Sequence, residues 1–533
     1  MTIDLIIHNA TVRTLDPAQP TAQAVAVSNG KIAAVGTLAQ ISSLDGAKGA
    51  TTLDLKGGLL LPGLNDAHTH FLWWAQSLKL INLVGVQTLE AALAKVQAQA
   101  TQTSPDQWLR GYGWDKNFWG GLPTRADLDR VAPGHPVVLD SKDGHVLWAN
   151  SKALEIIGIN RDTADVAGGE IVRDVAGEPT GIFKENATSL LRHYLNKLEP
   201  DLDTATRTLA EAQTLAHQYG LTGVHAIEAA AGFGAFQNLH AQGKLKLRTT
   251  IVLRAEALAH VSAIGLRTGF GDEMLWLGQL KFFLDGTLGS QTAAMLEPFD
   301  HCTGDHCRGL LTLEQAEFTI QARTAVQAGF GVAVHVIGDR AAQVGLEAIA
   351  AVRNADTTGR LRHRLEHVQL TSPTDLLRFA QLGVIASVQP THATTDRDNA
   401  DYYWGAERAS RAYAYQSLLK SGAHLALGSD APIEPLDPRF GIYAAVTRQR
   451  QGEDRPGWYV AECLSVEEAV RGFTEGPAYA AGDEQRRGRI APGYQADFTA
   501  LAQDIFSCPA AEIPLTPITA TLVGGEIVYS ALS

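Results

Sequence analysis

Between residues 59 and 430 the chain repeats one rhythm: a short apolar run, a turn, then a stretch with apolar residues three and four apart. Parallel strands joined by crossover helices require that alternation, because the connection must travel back over the sheet. The runs are Leu59–Leu64, Val137–Asp140, Gly223–Ile227, Arg248–Arg254, Gln279–Leu284, Gly331–Val336, Arg364–Val368, Val384–Val388 and His424–Ser429. Two helical stretches stand out. Ala205 to Tyr219 puts Leu209, Ala212, Leu215, Ala216 and Tyr219 on one face, and Glu314 to Ala328 has the same period. The runs number one more than a (β/α)8 TIM-like barrel takes. The segment at about 87–201 is rich in Gly, Pro and Asp and lacks the rhythm, so Val137–Asp140 is assigned to an insertion after strand 1.

The two ends of the chain read differently. Leu5–Ala10 and Ala24–Val27 are short apolar strands, and Ser28-Asn29-Gly30-Lys31 carries a hairpin signal. Ala496–Leu501, Ile518–Val523 and Glu526–Tyr529 have the same character, the last two joined by Gly524-Gly525. Neither end has enough strands for a stable sheet. Residues 1–58 and 485–533 are therefore expected to form one composite β-sandwich domain, with the barrel over 59–484.

Composition narrows the function classes. The 533 residues are 45% hydrophobic and 19% charged, a globular balance. A formal net charge of −13 with no basic stripe argues against nucleic acid. No stretch approaches about 18 consecutive apolar residues, and the first residues lack the regions of a signal peptide. A cytoplasmic location without a membrane partner is expected. Cys302, Cys307, Cys463 and Cys508 are too few for a disulfide framework at this length.

In such barrels the chemistry sits at the C-terminal ends of the strands. Read there, the sequence presents His68 and His70 after strand 1, Lys281 on strand 4, His335 on strand 5, His367 on strand 6 and Asp430 after strand 8. Two histidines two apart on a strand point to one side and make half of a metal site. One buried His or Lys is ordinarily structural. A recurring series at matching depth resists that explanation, because each group carries its own burial cost.

These positions lie in segments that resemble the amidohydrolase superfamily, and within it amidohydrolase family 3, the YtcJ-like group. The segments are Gly63-Leu64-Asn65-Asp66-Ala67-His68-Thr69-His70, Lys281 to Ser290, His335 to Ala341, His363-Arg364-Leu365-Glu366-His367, Leu427 to Pro432, and Gly488 to Phe498. The resemblance implies a metal-dependent hydrolase cleaving a C–N bond in a small-molecule amide, N-acyl, formamide or cyclic amide substrate. It implies His68, His70 and Asp430 around one divalent ion, expected to be zinc. His335 and His367 would hold a second where two are bound, with Lys281 bridging as an N-carboxylated lysine. A free lysine, with a pKa of about 10.4, repels a metal; burial beside dications favours the neutral amine, which takes up CO₂. Metal-activated water then attacks the carbonyl, and Asp430 shuttles the proton to the leaving nitrogen. Deaminase, esterase or lyase chemistry on the same site is the alternative, as is an inactive binding protein. The resemblance also permits a homodimer.

Other candidates surround this set. Asp143-Gly144-His145 matches a segment common in the family, which makes His145 a candidate to hydrogen-bond the substrate. Trp73, Trp114, Phe118 and Tyr403 are candidates to line an apolar mouth suited to an aromatic or long acyl amide, against the plainer reading that the insertion's own core needs such side chains. Glu366 points away from His367 and is assigned to an ion pair with Arg364 or another cation. Asp339 and Arg340 are assigned to an ion pair orienting strand 5. His301 to Cys307 looks like a zinc loop, but no second Cys/His pair follows, so a disulfide or free thiols are expected. Relatives often carry Arg where this chain has Gln291, and another near Ser141-Lys142. Their absence weighs against a substrate carboxylate.

Overall fold

The computed structural model describes residues 2–115, 119–141, 146–166, 168–195, 201–302 and 307–532, so Phe118 and His145 lie outside the described residues. Eight parallel strands form the barrel: β1 (Leu64–Thr69), β2 (Leu221–Glu228), β3 (Arg248–Arg254), β4 (Leu275–Phe283), β5 (Val332–Val336), β6 (Arg364–His367), β7 (Ile385–Val388) and β8 (Leu425–Leu427). Each pairs with the next in sequence. The seam between β1 and β8 closes through a bridge from Thr69 to Ala431, where the Asp430 N–H donates to the His68 carbonyl at 2.7 Å. Helices cover a parallel sheet, so its strands are buried along their length, as β2 is throughout. Leu202–Gln218 and Gln315–Gln327 are helices where the spacing predicts them.

The first predicted strand is the exception. Leu59–Pro62 ends a longer strand, Thr51–Pro62, in the sheet of the chain termini, and β1 begins only at Leu64. Asn65, Asp66 and His68 make β1 look polar, yet all its residues are buried. Asp66 is satisfied by N–H bonds from His68 (2.9 Å) and Ser429 (3.0 Å). Gly63 joins the two strands. A Cβ there would lie 2.2 Å from Thr222 Oγ1. Thr222 is buried and its hydroxyl donates to the Leu64 carbonyl at 3.1 Å, so it cannot withdraw. Gly63→Ala is expected to cost about 1–3 kcal/mol, seen as a lower denaturant midpoint at unchanged m-value.

Strands from both ends of the chain share one eight-stranded sheet instead of two facing ones. Its order is Glu526–Ser530, Ile518–Val523, Phe498–Leu501, Thr51–Pro62, Leu5–Arg13, Ala24–Ser28, Lys31–Gly36, with Thr21–Ala22 beside Leu5–Arg13. The sheet rolls on itself. Side chains from Ile32 across to Leu522 share one core, and a Cβ at Gly30 would lie 3.2 Å from the Gly524 carbonyl oxygen. Asn29 and Gly30 both have positive φ (49° and 72°), as the hairpin signal requires. A rolled sheet encloses the same kind of core as two sheets do, which is why short strands at both ends, too few for a sheet apiece, suggested a sandwich. The sheet is bound to the barrel by Arg248 of β3, whose Nε and Nη2 donate to Asp497 at 2.7 and 3.0 Å.

Ala75–Asp201 is a separate compact unit with a six-stranded sheet of its own. Trp114, Trp119 and Trp148 pack ring to ring in its core, and the Trp114 indole N–H donates to the Leu139 carbonyl at 3.0 Å. Trp114 is 1% exposed, so its ring is used by this core rather than lining an apolar mouth. Among the described residues no helix is long and apolar enough to cross a membrane.

Candidate metal centre

The barrel register carries the predicted residues to one end. Lys281 on β4 lies opposite Ala333, Phe283 lies opposite His335 of β5, and His335 lies opposite Glu366 of β6. His367 and Asp430 sit at strand ends with φ of 71° and 62°, a region that side chains adopt only under constraint. At the first of these ends the next residue is fixed: the Val368 N–H bonds to the Val336 and Glu366 carbonyls at 3.1 and 2.9 Å.

His68, His367 and Asp430 make the tightest group. One donor atom from each lies within 4.8 Å of the others, and all three are buried. Asp430 Oδ1 is 3.3 Å from His68 Nε2 and 3.4 Å from His70 Nε2. The His335 ring centroid is 4.5 Å from that of His367. Lys281 is buried on the adjoining strand, its Nζ 5.2 Å from the centre of the Phe283 ring.

The ring nitrogens separate this cluster from an ordinary buried polar network. His68 Nδ1 meets Glu366 Oε2 at 2.5 Å, His367 Nδ1 meets Gln389 Oε1 at 2.8 Å, and His335 Nε2 meets the Gly286 carbonyl at 2.9 Å. Every partner is an acceptor, so each of these nitrogens carries the proton and the other keeps its lone pair. Ligating imidazoles are typically oriented this way through their second nitrogen. His68 Nε2, Asp430 Oδ1 and Lys281 Nζ are buried without a hydrogen-bond partner among the described residues. Orphaned polar atoms at that depth are costly, and a divalent cation suits N and O donors of this kind. The residues present therefore fit a metal.

Their charge states agree. Burial pushes His335 down to about 3, helped by the Lys281 charge, and holds His70 and His367 below the usual imidazole range. They are neutral at pH 7, the form that binds metal. Burial lowers Lys281 to about 8. Burial alone would raise Asp430 and Glu366, but both stay well below the carboxylate range. The neighbouring His68 and the His392 bond outweigh burial at Asp430; Arg364 and His68 do so at Glu366.

Sequence reasoning passed over β7. Its end leads into the short helix His392–Thr395, where His392 Nε2 donates to Asp430 Oδ2 at 3.3 Å and Nδ1 lies 3.7 Å from Glu434 Oε1. Asp430 thus turns Oδ1 toward the other histidines and Oδ2 toward His392. The available signal was a histidine just past the end of β7, at the same depth as the rest. Glu366 does pair with Arg364, and its second bond, to His68, was not foreseen. Asp339 accepts the Leu296 N–H at 2.8 Å, fixing the segment after β4, and forms no ion pair with Arg340 among the described residues. Trp73 is 49% exposed, with its ring 5.8 Å from that of His70. Tyr403 is half-buried against Phe299. Cys302 and Cys307 form a disulfide.

Residues 51–529 match the amidohydrolase family. The putative amidohydrolase YtcJ of Bacillus subtilis (strain 168) is 31% identical, over 98% of this chain and 99% of its own. The N-substituted formamide deformylase of Arthrobacter pascens is 30% identical, over 99% of this chain and 98% of its own. A metal-dependent hydrolase of Pyrococcus horikoshii OT3 superposes with a TM-score of 0.80 at 26% identity, covering 95% of this chain and 99% of that one. Sequence, barrel and donor set agree: this chain belongs to the amidohydrolase family and is a metal-dependent hydrolase acting on carbon–nitrogen bonds.

Proposed function

We propose that this enzyme hydrolyses the C–N bond of an amide, N-acyl, formamide or cyclic amide, with N-substituted formamides the first class to test. The convergence of His68, His367 and Asp430 donor atoms within 4.8 Å carries the reading. Likeness to a formamide deformylase along nearly the full length supports the choice of bond. His68, His70, His335, His367 and Asp430 would hold zinc, with Lys281 as a carboxylated bridge where two ions bind. A bound dication of this kind lowers the pKa of water toward neutrality and polarises a carbonyl oxygen. Asp430, ionised and buried among the donors, accepts the water's proton and delivers it to the leaving nitrogen. His392 holds the other carboxylate oxygen and fixes its orientation. Trp73 offers an aromatic face beside His70 for an apolar N-substituent.

The test is product analysis with zinc-loaded enzyme on a panel of N-substituted formamides. Formate and amine in equal amounts are expected; ammonia without formate would put deamination in their place. Chelation is expected to abolish turnover and lower the thermal midpoint, with zinc restoring both, because a ligand held only by the folded state stabilises it. A chelated, metal-free protein that stays active would sink the proposal. Aromatic N-substituents should outperform small polar ones, and the reverse order would remove Trp73 from substrate contact.

A further inference from the structure

The rim of β3 carries a cation that the chemistry above does not use. Arg254 ends β3 and lies opposite Lys281 in the parallel register with β4. Residues paired across neighbouring strands project to the same face of the sheet. Lys281 faces the barrel interior, so Arg254 projects to that side at the C-terminal mouth. Val252, two residues earlier on the same face, packs with Ile227 and Ala333, and Ala333 is itself the register partner of Lys281. The alternation along β3 therefore agrees with the pairing.

Arg254 differs from the other groups at this end of the barrel. It is exposed, and its guanidinium has no hydrogen bond, ion pair or ring contact among the described residues. The neighbouring carboxylate of Glu228 is already engaged, with Oε1 accepting the Leu72 N–H at 2.9 Å. The positive charge of Arg254 nonetheless reaches both Lys281 and Glu228. A free guanidinium beside a centre built to gather cations is electrostatically unfavourable until an anion joins it. Its planar donors match a carboxylate in bidentate fashion.

We propose that Arg254 binds a carboxylate of the substrate, so that the preferred substrates are N-acylated carboxylic acids rather than neutral amides. The proposal rests on the C–N hydrolysis reading above. It also answers the absence of arginines at Gln291 and near Ser141: in this chain β3 supplies the cation.

The experiment uses zinc-loaded wild type, Arg254→Gln and Arg254→Lys. N-formylphenylalanine is compared with N-formyl-2-phenylethylamine, which differs only in lacking the carboxylate. Wild type is expected to prefer the acid. The ratio of the two kcat/KM values should fall about 10- to 100-fold in Arg254→Gln, the range of a charged hydrogen bond, and recover in part in Arg254→Lys. No preference for the acid in wild type, or the same ratio in Arg254→Gln, overturns the proposal. A second measurement needs no turnover: calorimetric titration with 3-phenylpropionate and 3-phenylpropanol. The acid should bind Arg254→Gln about tenfold more weakly or worse; equal affinity for wild type and variant overturns the proposal. If wild type cleaves neither formamide, that result counts against the proposed reaction, and the titration alone decides the role of Arg254.

Discussion

Zinc-loaded Asp430→Asn is expected to fall at least about 1,000-fold in kcat/KM while keeping its metal, the scale of a lost general base and acid. The substitution preserves the size of the side chain and an oxygen toward His68 and His70, and removes the negative charge together with the ability to take up a proton. In wild type the two carboxylate oxygens are held apart in role, Oδ2 by His392 and Oδ1 toward the donor histidines. Metal content measured beside the kinetics separates two explanations. Inactive protein with its metal retained assigns Asp430 to proton transfer. Near-normal activity in metal-loaded variant would remove it from that step, and loss of metal together with activity would make ligation its main duty.

Glu366→Gln should be the most damaging single change to stability near the site, costing about 3–5 kcal/mol. Glu366 and Arg364 are both fully buried and paired through Arg364 Nε. Among the described residues the remaining partners of Arg364 are the Ala67 carbonyl (2.5 Å), Ser387 Oγ (2.8 Å) and His225 Nδ1 (2.9 Å). None is an anion, so losing the carboxylate charge leaves a buried guanidinium without a counter-ion. The same carboxylate orients His68, and metal affinity should fall about 10- to 100-fold with it. A pH series checks the cause. Because Glu366 titrates below its unfolded value, its contribution is complete at neutral pH and drains away as pH falls below about 4. The gap between wild type and Glu366→Gln in denaturant midpoint should therefore narrow in acid. A gap of the same size at every pH would show that packing, not charge, sets the loss.

The donor residues were legible because His, Lys and Asp are the wrong residue types for buried parallel strands, and they recurred with the period of the barrel. β1 was not, because Asp66 is satisfied in part by the backbone N–H of Ser429, just past β8 and more than 350 positions away, a relationship that local patterning does not contain. His392, Gln389 and the Gly286 carbonyl escaped for a related reason: they reach the site from connections beyond the strand ends, a short helix for His392, whose paths follow packing rather than periodicity. Trp114 shows the limit of residue type. A large ring serves a core or a binding wall equally well, and only its burial and its bond to Leu139 decide between them. Arg254 lay at the end of a correctly placed strand and went unnoticed because an arginine there reads as a solvated surface charge.

The sheet that joins the two ends of the chain also sets a timetable. Leu64 donates its N–H to Thr499 Oγ1, 435 positions later, and the neighbouring strand Thr51–Pro62 finds one of its partners in Phe498–Leu501. During synthesis at about 5–20 residues per second, that edge waits about 20–90 s for its partner. For that time it is an apolar strand with an unpaired edge, the kind of surface that associates with other chains. Expression yield of this enzyme should therefore respond more to chaperone supply and translation speed than to the stability of the finished fold.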